Sequence, residues 1–242
     1  MRKWFTIIII VLTVVGLVAV FNLKSYEPTD TALKSLESSE NVTVKNEKEW
    51  IELSTGNVDG VVIYYPGGLV EPESYAGFGR ELAELGYTVY IVKMPLNLAV
   101  LGKNSGLPLL DKYDVPVFIG GHSLGGVMAS RFAAEHNARV AGVFFLASYP
   151  DEKGSLASIK IPSISITGTN DGVMNQEAYE KNSVYFSSNH KDYSIEGGNH
   201  AQFGSYGFQK GDNEATISEQ AQIKESVTVL DRWMKEVLNN SE

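Results

Sequence analysis

Val115-Pro116-Val117-Phe118-Ile119-Gly120-Gly121-His122-Ser123-Leu124-Gly125-Gly126 is the stretch whose reading decides the fold. Residues 115–119 are apolar and read as a fully buried strand. Residues 127–137, which follow, carry Ala, Met and Phe at helical spacing. Strand, Gly-x-Ser-x-Gly, helix is the setting in which a serine sits on a sharp turn with its hydroxyl raised clear of the sheet. Gly121 and Gly125 flank it two residues each way, where a side chain would collide with a neighbouring strand or helix. The amide of Leu124 begins the helix and points at the place where an oxyanion would form. A Gly-rich turn with a capping serine would fit these residues equally, so the context decides.

The context is an alternation. Strands are expected at 42–44, 50–53, 60–65, 88–93, 140–146, 164–167 and 191–195, the first two antiparallel. Helical periodicity marks 74–85, 176–185 and 217–238. This is the α/β class, a mostly parallel sheet with helices on both faces. Ligands of such sheets bind beyond the carboxyl ends of the strands. Ser123, Asp171 and His200 each lie in a Gly-rich turn just past a strand, in that order along the chain.

Three motifs carry a resemblance: Gly121-His122-Ser123-Leu124-Gly125, Gly168-Thr169-Asn170-Asp171-Gly172 and Gly197-Gly198-Asn199-His200. In this order and setting the chain resembles an alpha/beta hydrolase over residues 42–238. Within that superfamily it is most similar to small, lidless bacterial members allied to dienelactone hydrolases and carboxylesterases. The resemblance implies the alpha/beta hydrolase fold without a large cap domain, and a serine hydrolase of the carboxylesterase type. Ser123 is then the nucleophile. His200 is the base that takes its proton, and Asp171 holds the imidazole in the working tautomer. Asn170-Asp171-Gly172 would also suit a plain Asx turn, and Asp151 or Glu152 is the alternative acid. His122, His136 and His190 are read as structural. The second oxyanion donor is expected from Pro66-Gly67-Gly68-Leu69, through the amide of Gly68 or Leu69. Many relatives have His-Gly-Gly there, and the proline removes a side-chain hydrogen bond that braces the turn. Tyr65, Tyr149 and Phe203 are expected to line the acyl pocket, with Tyr206 and Phe208 as further aromatics near the mouth.

The remaining composition narrows the alternatives. The 242 residues carry a formal net charge of −9, which argues against nucleic acid as a partner. There is no cysteine, so thiolate nucleophiles, disulfides and Cys-held metals are excluded. No metal, phosphate-binding or dinucleotide motif occurs, and acyl-enzyme chemistry needs no cofactor.

Met1-Arg2-Lys3 is basic, and residues 4–23 are uncharged and almost wholly apolar. Twenty residues at about 1.5 Å each span about 30 Å, a bilayer core. No small-x-small cleavage site follows, so residues 1–23 are expected to be an uncleaved membrane anchor, the alternative being a signal peptide removed on secretion. The basic end stays inside and the catalytic domain lies outside the cytoplasm. Residues 24–41 are expected to be a polar tether, with Ala32, Leu33 and Leu36 making one short turn on the domain at 42–242. The short connections leave no room for a lid, which favours small or exposed esters as substrates. An acyltransferase or peptidase acting on an envelope substrate, and a non-catalytic binding module, are the competing readings.

Overall fold

Every residue of the strand Gly60–Tyr65 is buried, and alternate side chains leave a strand on opposite faces. Val62 and Tyr64 therefore enter one apolar core, and Val61, Ile63 and Tyr65 enter another. A strand buried on both faces belongs in the middle of a sheet covered on both sides. The computed structural model, which describes residues 24–240, shows that arrangement. Eight strands form one sheet: β1 (Thr43–Asn46), β2 (Trp50–Ser54), β3 (Gly60–Tyr65), β4 (Tyr87–Val92), β5 (Val117–His122), β6 (Gly142–Leu146), β7 (Ser163–Gly168) and β8 (His190–Ile195). Their order is β1-β2-β4-β3-β5-β6-β7-β8. The pairs β1/β2 and β2/β4 are antiparallel, and from β4 to β8 all pairs are parallel.

The α-helices are α1 (Asp30–Lys34), α2 (Ala76–Glu84), α3 (Leu124–Glu135), α4 (Gln176–Asn182) and α5 (Glu219–Asn239). Phe78 and Leu82 of α2 share one core with Ile223, Val227, Leu230, Trp233 and Met234 of α5. Met128, Ala129, Phe132 and Ala133 of α3 fill the core on the opposite face. The apolar stripe read from residues 217–238 is thus the buried face of the closing helix. The connections at 93–116 and 147–162 hold only short 3-10 turns, so no large cap domain stands over the sheet.

Most expected elements shift by a residue or two at their ends, and two of the shifts have a plain local reason. β5 starts after Pro116, which has no N–H to give a ladder, and runs on through the glycines because Gly120, Gly121 and His122 pair with Phe144, Phe145 and Leu146 of β6. Residues 74–85 divide into a 3-10 turn at Pro72–Tyr75 and the helix α2, which Gly86 ends at φ 102°.

The expected membrane segment at 4–23 lies outside the described residues. Among the described residues, no helix is long and apolar enough to cross a membrane. Residues 24–41 do not hang free as a tether. Tyr26 bridges to Val70, Thr29 caps α1, Ala32 is buried, and the Arg80 guanidinium donates to the carbonyls of Ser35 and Glu37. Leu36 packs on the core, whereas Leu33 stays exposed. The polarity of this stretch misled because its docking is made mostly by backbone groups, which composition does not show.

Candidate active site

Ser123 stands between β5 and α3 at φ 51°, ψ −122°. A non-glycine residue there carries roughly 1–3 kcal/mol of backbone strain and persists only where its surroundings hold it. Here the Ser123 N–H donates to Leu146 O at 3.0 Å, and its carbonyl accepts from Gly126 N–H at 3.1 Å and Ser148 Oγ at 2.6 Å. The turn is also pressed against β3. A Cβ on Gly121 would lie 2.2 Å from the Tyr65 carbonyl oxygen, and one on Gly125 would lie 2.0 Å from the same atom.

The ends of β7 and β8 bring the other two motifs to the same edge. His200 Nδ1 meets Asp171 Oδ2 at 2.8 Å, with both side chains essentially excluded from solvent. The other carboxylate oxygen, Oδ1, accepts the amides of Val173 at 2.8 Å and Met174 at 2.7 Å, which fixes the direction of the pair. His200 Nε2 is buried with no partner among the described residues. Ser123 and His200 line one cleft of about 270 Å³, walled by Leu124, Val127, Val173, Met174 and Tyr149. A buried imidazole with one nitrogen tied to a carboxylate and the other without a partner, on a residue that lines the cleft beside a serine, has the chemistry to take and return a proton.

Two amides without partners among the described residues lie on adjoining residues beside Ser123. Leu124 is the first residue of α3 and has no carbonyl one turn back to receive its N–H. In the turn after β3, the Gly67 N–H donates to the Tyr75 hydroxyl at 3.0 Å, and the Leu69 N–H donates to Asn97 O at 2.7 Å. Leu69, offered by its position as an oxyanion donor, is therefore already engaged. The Gly68 amide has no partner among the described residues. A Cβ on Gly68 would lie 3.2 Å from Leu124 Cδ2, so the two free amides belong to adjoining residues.

Not every expected residue reaches the cleft. Tyr65 is fully buried in the α3-side core, where its hydroxyl donates to Lys103 O at 2.6 Å. Phe203 is buried on the α5 side, its ring 5.9 Å from that of His122. Both follow from strand and loop direction, which aromatic character alone does not reveal. Tyr149 does line the cleft. Asp151 forms a bidentate pair with Arg131 and caps Gly154. Burial works to raise its pKa, but those contacts outweigh it and hold the carboxyl below its ordinary value. It is a structural anion, away from His200. His136 packs on Phe132, and His190 stacks on Phe186 at 3.7 Å.

Two residues went unnoticed in the sequence. The Tyr75 hydroxyl, besides accepting from Gly67, pairs with His122 Nδ1 at 2.9 Å, so a tyrosine braces the turn that follows Pro66. Asp212 accepts the amide of Gly172 at 3.0 Å through Oδ1 and that of Ala201 at 2.8 Å through Oδ2. It thereby ties the residue after Asp171 to the residue after His200. Nothing in its neighbourhood of sequence marks it, because its role exists only once the two loops meet.

Burial, and secondarily the His200 ring 4.5 Å away, hold His122 well below the ordinary imidazole value of 6.5. The unfolded chain binds that proton near pH 6.5 and the folded chain does not. Stability should therefore fall as pH drops from about 6.5 toward 5, by up to about 1.4 kcal/mol per pH unit from this group. His190, also held low chiefly by burial, acts with the same sign. Urea unfolding at pH 7 and pH 5 should show the loss, and His122→Gln should reduce it, leaving the part due to His190; an unchanged slope in that variant would assign the pH dependence elsewhere.

The sequence profile of the alpha/beta hydrolase family matches residues 61–224. Among curated proteins, none matches the chain. Solved structures share the fold at low identity. A soluble variant of monoglyceride lipase from Saccharomyces cerevisiae, in complex with a substrate analogue, is 12% identical with a TM-score of 0.58, covering 84% of this chain and 97% of its own. Alpha/beta hydrolase domain-containing protein 10 from mouse is 15% identical with a TM-score of 0.58, covering 83% and 100%. At such identities the likeness is one of fold, but the profile spans more than half of the sequence, and the chain belongs to the alpha/beta hydrolase family.

Proposed function

We propose that this chain is a serine hydrolase that cleaves carboxylic esters through Ser123, His200 and Asp171. The observation that carries the reading is the buried Asp171–His200 pair, in which His200 lines one cleft with the strained Ser123 and keeps Nε2 without a partner among the described residues. Ser123 Oγ bonds to the ester carbonyl carbon while its proton passes to His200. The C–O bond to the alcohol then breaks, and the alcohol leaves with that proton. Water repeats the sequence on the acyl-enzyme and regenerates the hydroxyl. The amides of Leu124 and Gly68 receive the negative charge that develops on the carbonyl oxygen. Leu124, Val127, Val173 and Met174 give the acyl chain an apolar wall. In this reading residues 1–23 anchor the protein in the cell membrane, with the catalytic domain outside the cytoplasm.

Labelling tests this directly. A fluorophosphonate should modify the protein once, on the peptide containing Ser123, and should block release of nitrophenol from p-nitrophenyl butyrate in proportion. Modification elsewhere, or turnover that survives full labelling, refutes the assignment.

The brace on the oxyanion turn gives a second test. Tyr75→Phe leaves the Gly67 N–H buried without its acceptor, which should cost about 1–3 kcal/mol in urea unfolding. The turn also loses its position, so kcat should fall roughly tenfold to a hundredfold while KM changes little. Unchanged kcat would show that this turn does not take part in the reaction.

A further inference from the structure

Residues 4–23 are uncharged, and the structure shows where that stretch of chain arrives. Ser25 Oγ accepts from Asn97 Nδ2 at 2.8 Å. Tyr26 donates its N–H to Leu69 O at 2.7 Å, accepts from Glu71 N–H at 3.1 Å, and sets its ring 5.5 Å from that of Tyr206. Thr29 N–H is held by Ser205 O at 2.8 Å. From residue 23 to Tyr26 is three residues, at most about 10 Å of extended chain. The chain therefore leaves residue 23 within that distance of Leu69 in the turn bearing Gly68, which adjoins Leu124 of the cleft wall. A free tether would have allowed any orientation; the docking of residues 25–34 removes that freedom.

The loops past the carboxyl ends of β4 and β8 carry apolar side chains that the fold leaves in water. Leu96 is 53% exposed, Val100 49%, Leu101 55% and Phe208 65%. Leu96 precedes Asn97, the residue that holds both Leu69 and Ser25, and both 96 and 97 lie in the left-handed region at φ 54° and 53°. Phe208 follows Gly207 in the loop that Tyr206 fastens to Tyr26. Large exposed apolar side chains on loops at one edge of the sheet mark a surface that meets something apolar.

We propose that the carboxyl edge of the sheet sits on the lipid bilayer, with Leu96, Val100, Leu101 and Phe208 among the headgroups, and that the substrate is an ester-bearing membrane lipid taken from that surface. The inference rests on the esterase reading and on residues 4–23 as the anchor. The anchor brings the rim to the bilayer, and the exposed side chains give the rim a reason to stay. The ester carbonyl then reaches Ser123 without the lipid leaving the membrane for water. Acyl transfer to Ser123 and on to water proceeds as above.

The chain has no cysteine, so single cysteines report cleanly. Leu96→Cys, Leu101→Cys, Phe208→Cys and, on the opposite edge before β4, Leu85→Cys would be made in the full chain. Each would be reconstituted in phosphatidylcholine vesicles and labelled with an environment-sensitive fluorophore. Lipids bearing a nitroxide near the headgroup should quench labels at 96, 101 and 208 at least about twofold more than the label at 85. Equal quenching, or stronger quenching at 85, overturns the orientation. So does shielding of the rim labels from both the lipid nitroxide and aqueous iodide, which would mean that protein covers this face, whether the N-terminal segment or a second copy. Release of the chain from vesicles by alkaline wash overturns the anchor and the orientation with it.

Activity tests the substrate separately. Leu96→Asp/Leu101→Asp should lose about tenfold or more on a fluorogenic diacylglycerol in the same vesicles, while turnover of p-nitrophenyl acetate stays within about twofold. Equal effects on both esters overturn the lipid substrate. No turnover of either ester by the unsubstituted chain overturns the esterase reading, and the quenching pattern still decides the orientation.

Discussion

Ser123→Ala should lower kcat for ester hydrolysis by about 10⁴- to 10⁶-fold, the loss seen when a serine nucleophile is removed from an otherwise intact site. The fold should survive. The Ser123 side chain makes no capping hydrogen bond to α3, and the backbone contacts that hold the strained turn are amide and carbonyl groups that alanine keeps. KM should move little, because the apolar wall of the cleft is untouched. His200→Ala should be of the same order and not additive with Ser123→Ala, since each is useless without the other. Asp171→Asn is the sharper probe. Its Oδ1 can still accept the amides of Val173 and Met174, but an NH₂ would replace the oxygen facing His200 Nδ1. That forces the imidazole into the wrong tautomer, with an expected loss of about 10⁴-fold. Stopped-flow release of nitrophenol from p-nitrophenyl butyrate would measure all three. If Ser123→Ala stays within about tenfold of the parent, another group is the nucleophile.

Gly125→Ala should be the most damaging small substitution in the chain. By helix propensity alone, alanine would be better than glycine in α3 by about 1 kcal/mol. Geometry reverses the sign. The added Cβ would stand 2.0 Å from the carbonyl oxygen of Tyr65 and 2.5 Å from that of Pro66, both main-chain atoms in the turn that carries Gly68. Neither can swing aside as a side-chain tip could, so α3 and the turn bearing Gly68 must separate. The expected cost is about 3 kcal/mol or more, or roughly 10 °C in Tm for a chain of this size. Separation of the two amides by even about 1 Å should reduce kcat about a hundredfold in whatever protein still folds. Gly77→Ala supplies the control. It lies in α2, and the nearest atom to its Cβ would be Ser35 Oγ at 3.7 Å. That variant should be neutral or more stable by up to about 1 kcal/mol. Calorimetry on the pair separates the two explanations, because equal Tm values would show that backbone proximity at Gly125 is tolerated.

Which parts of this molecule could be read in advance follows from how local their causes are. Gly121, Ser123 and Gly125 announce the turn because strand, strained serine and helix follow within a dozen residues, and each has a periodicity that needs no partner. Asp171 and His200 are legible for the same reason, each sitting in a glycine-rich turn just past an apolar strand. The two-sided burial of β3 is written in its unbroken apolar run. What depended on partners distant in sequence stayed hidden. Tyr65 and Phe203 have the chemistry of pocket residues, yet the pleat and the loop direction send them into the two cores. That the Leu69 amide is engaged and the Gly68 amide is not was set by Asn97, whose carbonyl takes the Leu69 N–H. Tyr75 and Asp212 act by meeting backbone amides from other loops, and an amide has no letter in the sequence. Residues 24–41 were read as a tether for the same reason, since backbone groups and the Arg80 guanidinium dock them. The sequence by itself therefore determined the family and the order of the glycine-rich turns that carry Ser123, Asp171 and His200, because those rest on local spacing. Only the tertiary structure decided which amides remain free, which loops are braced and where the chain enters the domain, because each is a pairing of main-chain groups brought together by the fold.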